Sequence, residues 1–292
     1  KKRKKGGRGE QTSIYLQTDI NRYIYIFSMS KYADPDYWEE RYRSNDTTYD
    51  WYVPFDSLEP ILRPLLQPPE QVRVLMVGCG NSRLSASLYD ELNIRKITNV
   101  DVSPTVIAQM ERRCKNMTEM QWICCDLVNT SPEKLLAIFC PNDYLFDFII
   151  DKGFIDAILG GHNSFHNVYT VTKNLSRLLK KGGRFLSVSY GSPETRLDHF
   201  RRRRLFFDVE HKAIEKPMFN STTTTTGHYH VYIMTKLGEK QTAAAVGDAG
   251  AALDGTTVSG DSDDDEDDFY DRFMMQTTSP TMAADPSRIH TL

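Results

Sequence analysis

Between residues 70 and 237 the chain alternates short runs of branched and aromatic residues with segments of helical spacing. The runs are QVRVLMV (71–77), KITNVDV (96–102), MQWICCD (120–126), FDFIIDKG (146–153), GRFLSVSY (183–190), FFDVEHKAI (206–214) and HYHVYIMTKL (228–237). Their length and their β-branched and aromatic content predict strands. SRLSASLYDEL (82–92), SPTVIAQMERRCKNM (103–117) and HNVYTVTKNLSRLLKKGG (166–183) read as helices. The second opens on Ser-Pro, a favoured helix start. The third places Lys180 and Lys181 in its last turn, with glycine beyond. Apolar strands alternating with helices predict a parallel sheet covered on both faces. The last two strands have no clear helix between them, which predicts a hairpin at that edge.

The ends differ from this middle. Residues 238–292 hold 12 acidic against 3 basic side chains, and residues 1–28 hold 7 basic against 2 acidic. The middle is nearly neutral and lacks the basic footprint of a dedicated nucleic-acid domain. The tail, small residues followed by an acidic block, has too little apolar surface to offset chain entropy and is expected to be disordered. The first methionine is Met29. The expected organisation is therefore a basic extension over 1–28, disordered or non-native, one domain over 29–237, and an acidic tail over 238–292. No apolar run approaches the ~18 residues of a membrane span. Asp19, Asn21 and Arg22 interrupt the N-terminal apolar stretch, which makes a poor signal peptide. Cys79, Cys114, Cys124, Cys125 and Cys140 show neither CxxC spacing nor a histidine partner pattern. They read as reduced thiols of a cytoplasmic protein, with no metal site.

The candidate chemistry lies at the strand ends. The first strand stops at Gly78-Cys79-Gly80. Glycine at the carboxyl end of a parallel strand lets the backbone turn sharply and lets a ligand touch the main chain. The dinucleotide pattern G-x-G-x-x-G is not met, because Arg83 stands at its third position. Asp101 ends the second strand 21 residues after Gly80, at the spacing of an acid that binds ribose hydroxyls. It also suits a helix N-cap. Asp126 ends the third strand, where it can accept from an adenine amine or simply close a turn. Asp151 and Lys152 end the fourth. Each strand end facing a ligand is thus glycine or polar, above an apolar strand body.

VGCGNS, NVDVS, CCD and FDFIIDKGFIDAIL resemble the successive motifs of class I S-adenosylmethionine-dependent methyltransferases. With YWEERY (37–42), YDWY (49–52) and GHYHVYIMTK (227–236), they most resemble the elongation factor 1-alpha lysine methyltransferase 4 and methyltransferase-like 13 group. The resemblance spans roughly residues 31–237. It implies an α/β fold: a Rossmann-like, doubly wound, seven-stranded sheet, mostly parallel with an antiparallel last strand and helices on both faces. It implies S-adenosylmethionine over Gly78 and Gly80, with Trp38, Tyr42 and Trp51 closing above it. Asp101 and Val102 would hold ribose and adenine, Asp126 and Leu127 the adenine edge, and Lys152 would lie near the methionyl end. Ordinary packing of an N-terminal helix is the other reading of Trp38 and Trp51. Asp151, Lys152, Gly153 and Asp156 are the expected catalytic floor, with Asp151 orienting the incoming amine or holding the cofactor's ammonium. The implied substrate is a protein lysine, with elongation factor 1-alpha the implied partner.

Two alternatives stand beside this. An RNA or small-molecule methyltransferase can use the same scaffold, and the RNA version would lean on Arg201–Arg204 and Lys1–Lys5. A non-catalytic binding module would keep the fold and dock through its tails. The NSTTTTTG loop (220–227) and the arginine run depart from the group's pattern on the substrate side.

Overall fold

A computed structural model describes residues 31–216 and 227–238. The expectations for 1–28, for the acidic tail from residue 239 on and for most of the NSTTTTTG loop fall outside these residues. The chain opens with a 3-10 turn (Lys31–Ala33), then α1 (Pro35–Ser44) and α2 (Phe55–Leu65). There follow β1 (Arg73–Val77), α3 (Leu84–Glu91), β2 (Lys96–Asp101), α4 (Pro104–Arg113), β3 (Gln121–Cys124), α5 (Pro132–Phe139) and β4 (Phe146–Lys152). The second half holds α6 (Phe154–Leu159), α7 (Ser164–Leu178), β5 (Leu179–Ser189), α8 (Pro193–Phe200), β6 (Phe207–Glu215) and β7 (His228–Lys236).

The seven strands form one sheet in the order β3-β2-β1-β4-β5-β7-β6. The five strands from β3 to β5 are parallel, and β7 runs antiparallel between β5 and β6. The order reverses between β1 and β4, and the carboxyl ends of the strands there make the switch point at which this fold takes ligands. Alternation along the strands divides the core in two. Val74 and Met76 face one apolar cluster with Leu58, Leu62 and Leu88, while Leu75 and Val77 face another with Ile155, Val171 and Leu175. Period 2 thus turns a continuous apolar run into a sheet buried on both sides. Helix starts follow the same economy. Asp34-Pro35, Ser103-Pro104 and Ser131-Pro132 each set a capping side chain before a proline at the first helical position, and each cap accepts a backbone N–H from the first turn.

One expected boundary shifts. The helix over 166–183 ends at Leu178, and Lys180 and Lys181 belong to β5. Leu179 is fully buried and pairs with Phe146, while Lys180 Nζ lies 2.7 Å from Asp147 Oδ1. These partners lie more than thirty residues upstream, so tertiary contacts override the local helix-end signal. Gly182 (φ +77°) supplies the left-handed turn that the register slip between β4 and β5 requires. The arginine run begins at the C-cap of α8, where the Arg201 N–H bonds the Leu197 carbonyl. α8 stops at Phe200, and Arg203–Leu205 is a 3-10 turn. Arg202 lies 4.8 Å from the Tyr169 ring.

Candidate active site

A cavity of about 390 Å³ opens at the carboxyl ends of β1, β2 and β4. Its floor is the turn after β1. Gly78 (φ +55°) and Gly80 (φ +51°) both lie in the left-handed region. A Cβ at Gly78 would stand 2.7 Å from Phe154 Cβ, and one at Gly80 would stand 2.7 Å from the Tyr42 hydroxyl. Glycine avoids both the strain of the left-handed backbone and these close contacts. Asp101 fixes the turn by accepting from the Gly80 N–H (2.9 Å) through one oxygen and from the Ser103 N–H (3.0 Å) through the other. Burial pushes the Asp101 carboxyl up, against the pull of these bonds.

Aromatic rings from the N-terminal segment form the roof. Trp38 stacks on Tyr42 (centroids 5.9 Å apart, 24° between planes) and donates its indole N–H to the Tyr32 carbonyl at 2.7 Å. Trp51 meets Trp38 edge-on at 6.1 Å. Two polar clasps hold this roof to the sheet. The first is Glu39, which accepts from the Ser103 and Thr105 hydroxyls (2.5 Å each) and the Thr105 N–H (3.3 Å). Burial alone would raise the Glu39 carboxyl, but these bonds at the N-terminus of α4 hold it below the usual range.

The second clasp is built by the GCGNS motif and Lys152. Asn81 donates to the Thr47 carbonyl (2.5 Å), and the Ser82 hydroxyl donates to Asp50. Lys152 Nζ donates to Asp50 Oδ1 and to the Trp51 carbonyl, both at 3.0 Å. Burial pulls the Lys152 ammonium down from its ordinary value even though Asp50 opposes the shift. Burial would raise Asp50, yet Lys152 and Ser82 hold it low.

Asp156 is the hub of the far wall. Its carboxylate accepts from the hydroxyls of Tyr52 (2.7 Å) and Ser189 (2.6 Å), the Tyr190 N–H (2.8 Å) and Arg196 Nε (3.0 Å). Tyr52 itself sits at φ 66°, a conformation that costs about 1–2 kcal/mol for a residue with a Cβ. Its bond to Asp156 and its ring contact with Tyr229 hold it there.

Every site residue expected from the sequence lines this cavity except Asp151. The fully buried Asp151 carboxylate accepts from the Phe154 N–H (2.6 Å) at the start of α6 and from the Ser187 hydroxyl (2.5 Å). It faces the helix and β5, so the expectation that it touches amine or cofactor gives way to a positioning role. Asp126 lines the cavity, but its hydrogen bonds are those of a turn: it accepts from the Val128 and Asn129 N–H groups and from the Asn129 amide. Glu39, Asp50, Tyr52 and Arg196 were not singled out from the sequence. Glu39 lies inside the motif YWEERY and Asp50 and Tyr52 inside YDWY, whereas Arg196, in ETRLDHF, carries no such signal.

Burial raises the Asp151 carboxyl to about 7. The folded protein therefore keeps a proton that the unfolded chain releases near pH 4. This contribution to stability is complete below pH 4 and is lost as pH rises through 7. Asp151→Asn keeps the geometry without the titration. The stability of the variant relative to the parent, from urea unfolding, should rise by about 2–3 kcal/mol between pH 5 and pH 8. Parallel curves would show Asp151 already ionised at pH 5.

Residues 69–235 match the family model described as "Methyltransferase domain". EEF1A lysine methyltransferase 4 of Mus musculus is 32% identical over 217 residues, covering 70% of this chain and 76% of that protein. The chain belongs to the methyltransferase family. The eEF1A lysine and N-terminal methyltransferase of Xenopus laevis is 30% identical over 221 residues, 72% of this chain and 29% of that protein. Among solved structures, the N-methyltransferase NodS from Bradyrhizobium japonicum with S-adenosyl-l-homocysteine aligns at a TM-score of 0.46, with 16% identity over 68% of this chain and 98% of that one.

The methyltransferase's cofactor is S-adenosylmethionine, and the cavity suits it. The glycine floor exposes backbone, Asp101 offers a buried carboxylate beside it, and ring faces overhead favour a sulfonium cation. Its volume lies within the range of small-molecule sites.

Proposed function

We propose that this methyltransferase acts on a protein lysine, with elongation factor 1-alpha as substrate, in the cytoplasm. The observation that carries the reading is the 32% identity over 76% of a relative named as an eEF1A lysine methyltransferase. No helix among the described residues is long and apolar enough to cross a membrane.

When bound, S-adenosylmethionine supplies an electrophilic methyl group. The chain's own residues bind, orient and exclude water. Gly78 and Gly80 would admit the cofactor against the main chain, and Asp101 would hold its ribose hydroxyls. Leu127 gives an apolar wall to the adenine end. Lys152, Asp50 and the Trp51 carbonyl lock the roof loop, so the reacting groups meet away from bulk water. Asp156 fixes Tyr52 and Tyr190 on the opposite wall, where the target lysine enters. Deeper than the entrance, burial among apolar side chains disfavours the charged ammonium, so the amine gives up its proton before it meets the methyl group. Orientation alone can contribute about 7–11 kcal/mol to such a displacement, and no covalent enzyme intermediate is needed.

The test is transfer of radiolabelled methyl into purified, unmethylated elongation factor 1-alpha, with the modified residue located by mass spectrometry. Label on a lysine supports the reading. Label that appears only in a cell extract and is lost to ribonuclease would replace it with RNA methylation.

A further inference from the structure

Tyr190 is among the few large hydrophobic side chains that are exposed among the described residues, at 55%. It lines the cavity, and its backbone is pinned by Asp156. An exposed ring held rigidly at a cavity mouth is placed to meet a ligand. Beside it stands Tyr229, on β7, with ring centroids 6.3 Å apart. Tyr229 lies 5.0 Å from Tyr52, whose ring in turn lies against Gly153. An unbroken aromatic wall therefore runs from the catalytic floor to the surface.

The outer end of that wall holds a cation. Lys216 Nζ lies 4.1 Å from the Tyr190 ring centroid and 4.9 Å from that of Tyr229. Its backbone N–H is fixed to the Gly227 carbonyl at 2.9 Å. A lysine leaning on one tyrosine is commonplace. Here the ammonium contacts two rings at the mouth of an enzyme read as acting on lysine, and one ring belongs to the cavity itself.

We propose that Tyr190 and Tyr229 form the subsite that receives the ammonium end of the target lysine, and that Lys216 occupies it in the free enzyme as a stand-in from the chain itself. This rests on the lysine-methyltransferase reading. An entering lysine must displace Lys216, so the chain competes with its substrate for the same two rings. Occupancy by a competing group lowers apparent affinity by the fraction of sites it blocks. A cation–π contact at this exposure corresponds to roughly two- to fivefold.

Full-length protein is assayed for KM and kcat on elongation factor 1-alpha, and for S-adenosylmethionine affinity by calorimetry. Lys216→Met should lower KM by about two- to fivefold, with the effect on KM rather than kcat. Tyr190→Ala with Tyr229→Ala should raise KM by roughly tenfold at retained cofactor affinity, and the double phenylalanine variant should restore it, because the ring face does the binding. n-Butylammonium, a lysine side-chain mimic followed by NMR, should bind Lys216→Met protein and fail to bind when both tyrosines are also alanine. A rise in KM for Lys216→Met would overturn the stand-in role. Tyrosine-to-alanine changes that leave KM as in the parent, and that leave butylammonium binding as strong in the Lys216→Met background as without them, would overturn the subsite while lysine methylation stands. Butylammonium binding that needs both tyrosines, in an enzyme that labels no protein lysine, would keep the subsite and reject the proposed substrate.

Discussion

An Asp156→Ala protein is expected to lose about 3–5 kcal/mol of stability and to melt roughly 6–20 °C below the parent. The size of the effect follows from what the carboxylate satisfies. Asp156 is 5% exposed and accepts four hydrogen bonds, from Tyr52, Ser189, Tyr190 and Arg196. The Arg196 side chain is itself only 14% exposed. Truncation leaves a buried guanidinium without its counter-charge and three donors without an acceptor, and Tyr52 loses the bond that helps hold its left-handed backbone. Adding Arg196→Met removes the orphaned charge, so the double variant should recover part of the loss, a coupling that a double-mutant cycle reads directly. Thermal unfolding of the four proteins decides the matter. An unchanged melting temperature alongside lost methyl transfer would make Asp156 a participant in chemistry rather than the pin of the substrate wall.

Asp156 also shows where the sequence stops being legible. The strands could be read because a buried parallel strand needs an unbroken apolar run, and QVRVLMV and FDFIID have one. Strand ends could be read because glycine and aspartate interrupt those runs at the ligand edge. The order of the last two strands could not, since nothing in FDVEHKAIE or HYHVYIMTK says which lies beside β5. The structure inserts β7 there and leaves the polar β6 at the edge. The roof was legible as an aromatic motif but not as a clasp. Glu39 to Thr105 spans 66 residues and Tyr52 to Asp156 spans 104, and no local period carries such pairs. DKG misled in a related way. An acid at a strand end before a glycine looks the same whether it meets a substrate or caps the next helix, and Asp151 does the second. Only the position of α6, which tertiary packing sets, separates the two.

The second large effect is on the cofactor. Asp101→Ala should weaken S-adenosylmethionine binding by on the order of 100-fold, because charge-assisted hydrogen bonds contribute about 1.5–3 kcal/mol each and about 1.4 kcal/mol is tenfold in affinity. Two losses combine. The ribose hydroxyls lose their acceptor, and the Gly80 and Ser103 N–H groups lose theirs, so the glycine floor loosens where the cofactor rests. Asp101→Asn separates the two. It keeps the shape and one acceptor oxygen but removes the charge, so it should fall between the parent and the alanine variant. pH gives an independent check. Burial raises the Asp101 carboxyl, and a protonated Asp101 is a poorer acceptor. Parent affinity should therefore decline on acidification, starting at a higher pH than for an exposed aspartate, whereas affinity in Asp101→Asn should not follow that titration. Calorimetric affinity that stays the same in Asp101→Ala would remove Asp101 from the ribose and leave it a structural role alone, tying the β1 turn to the start of α4.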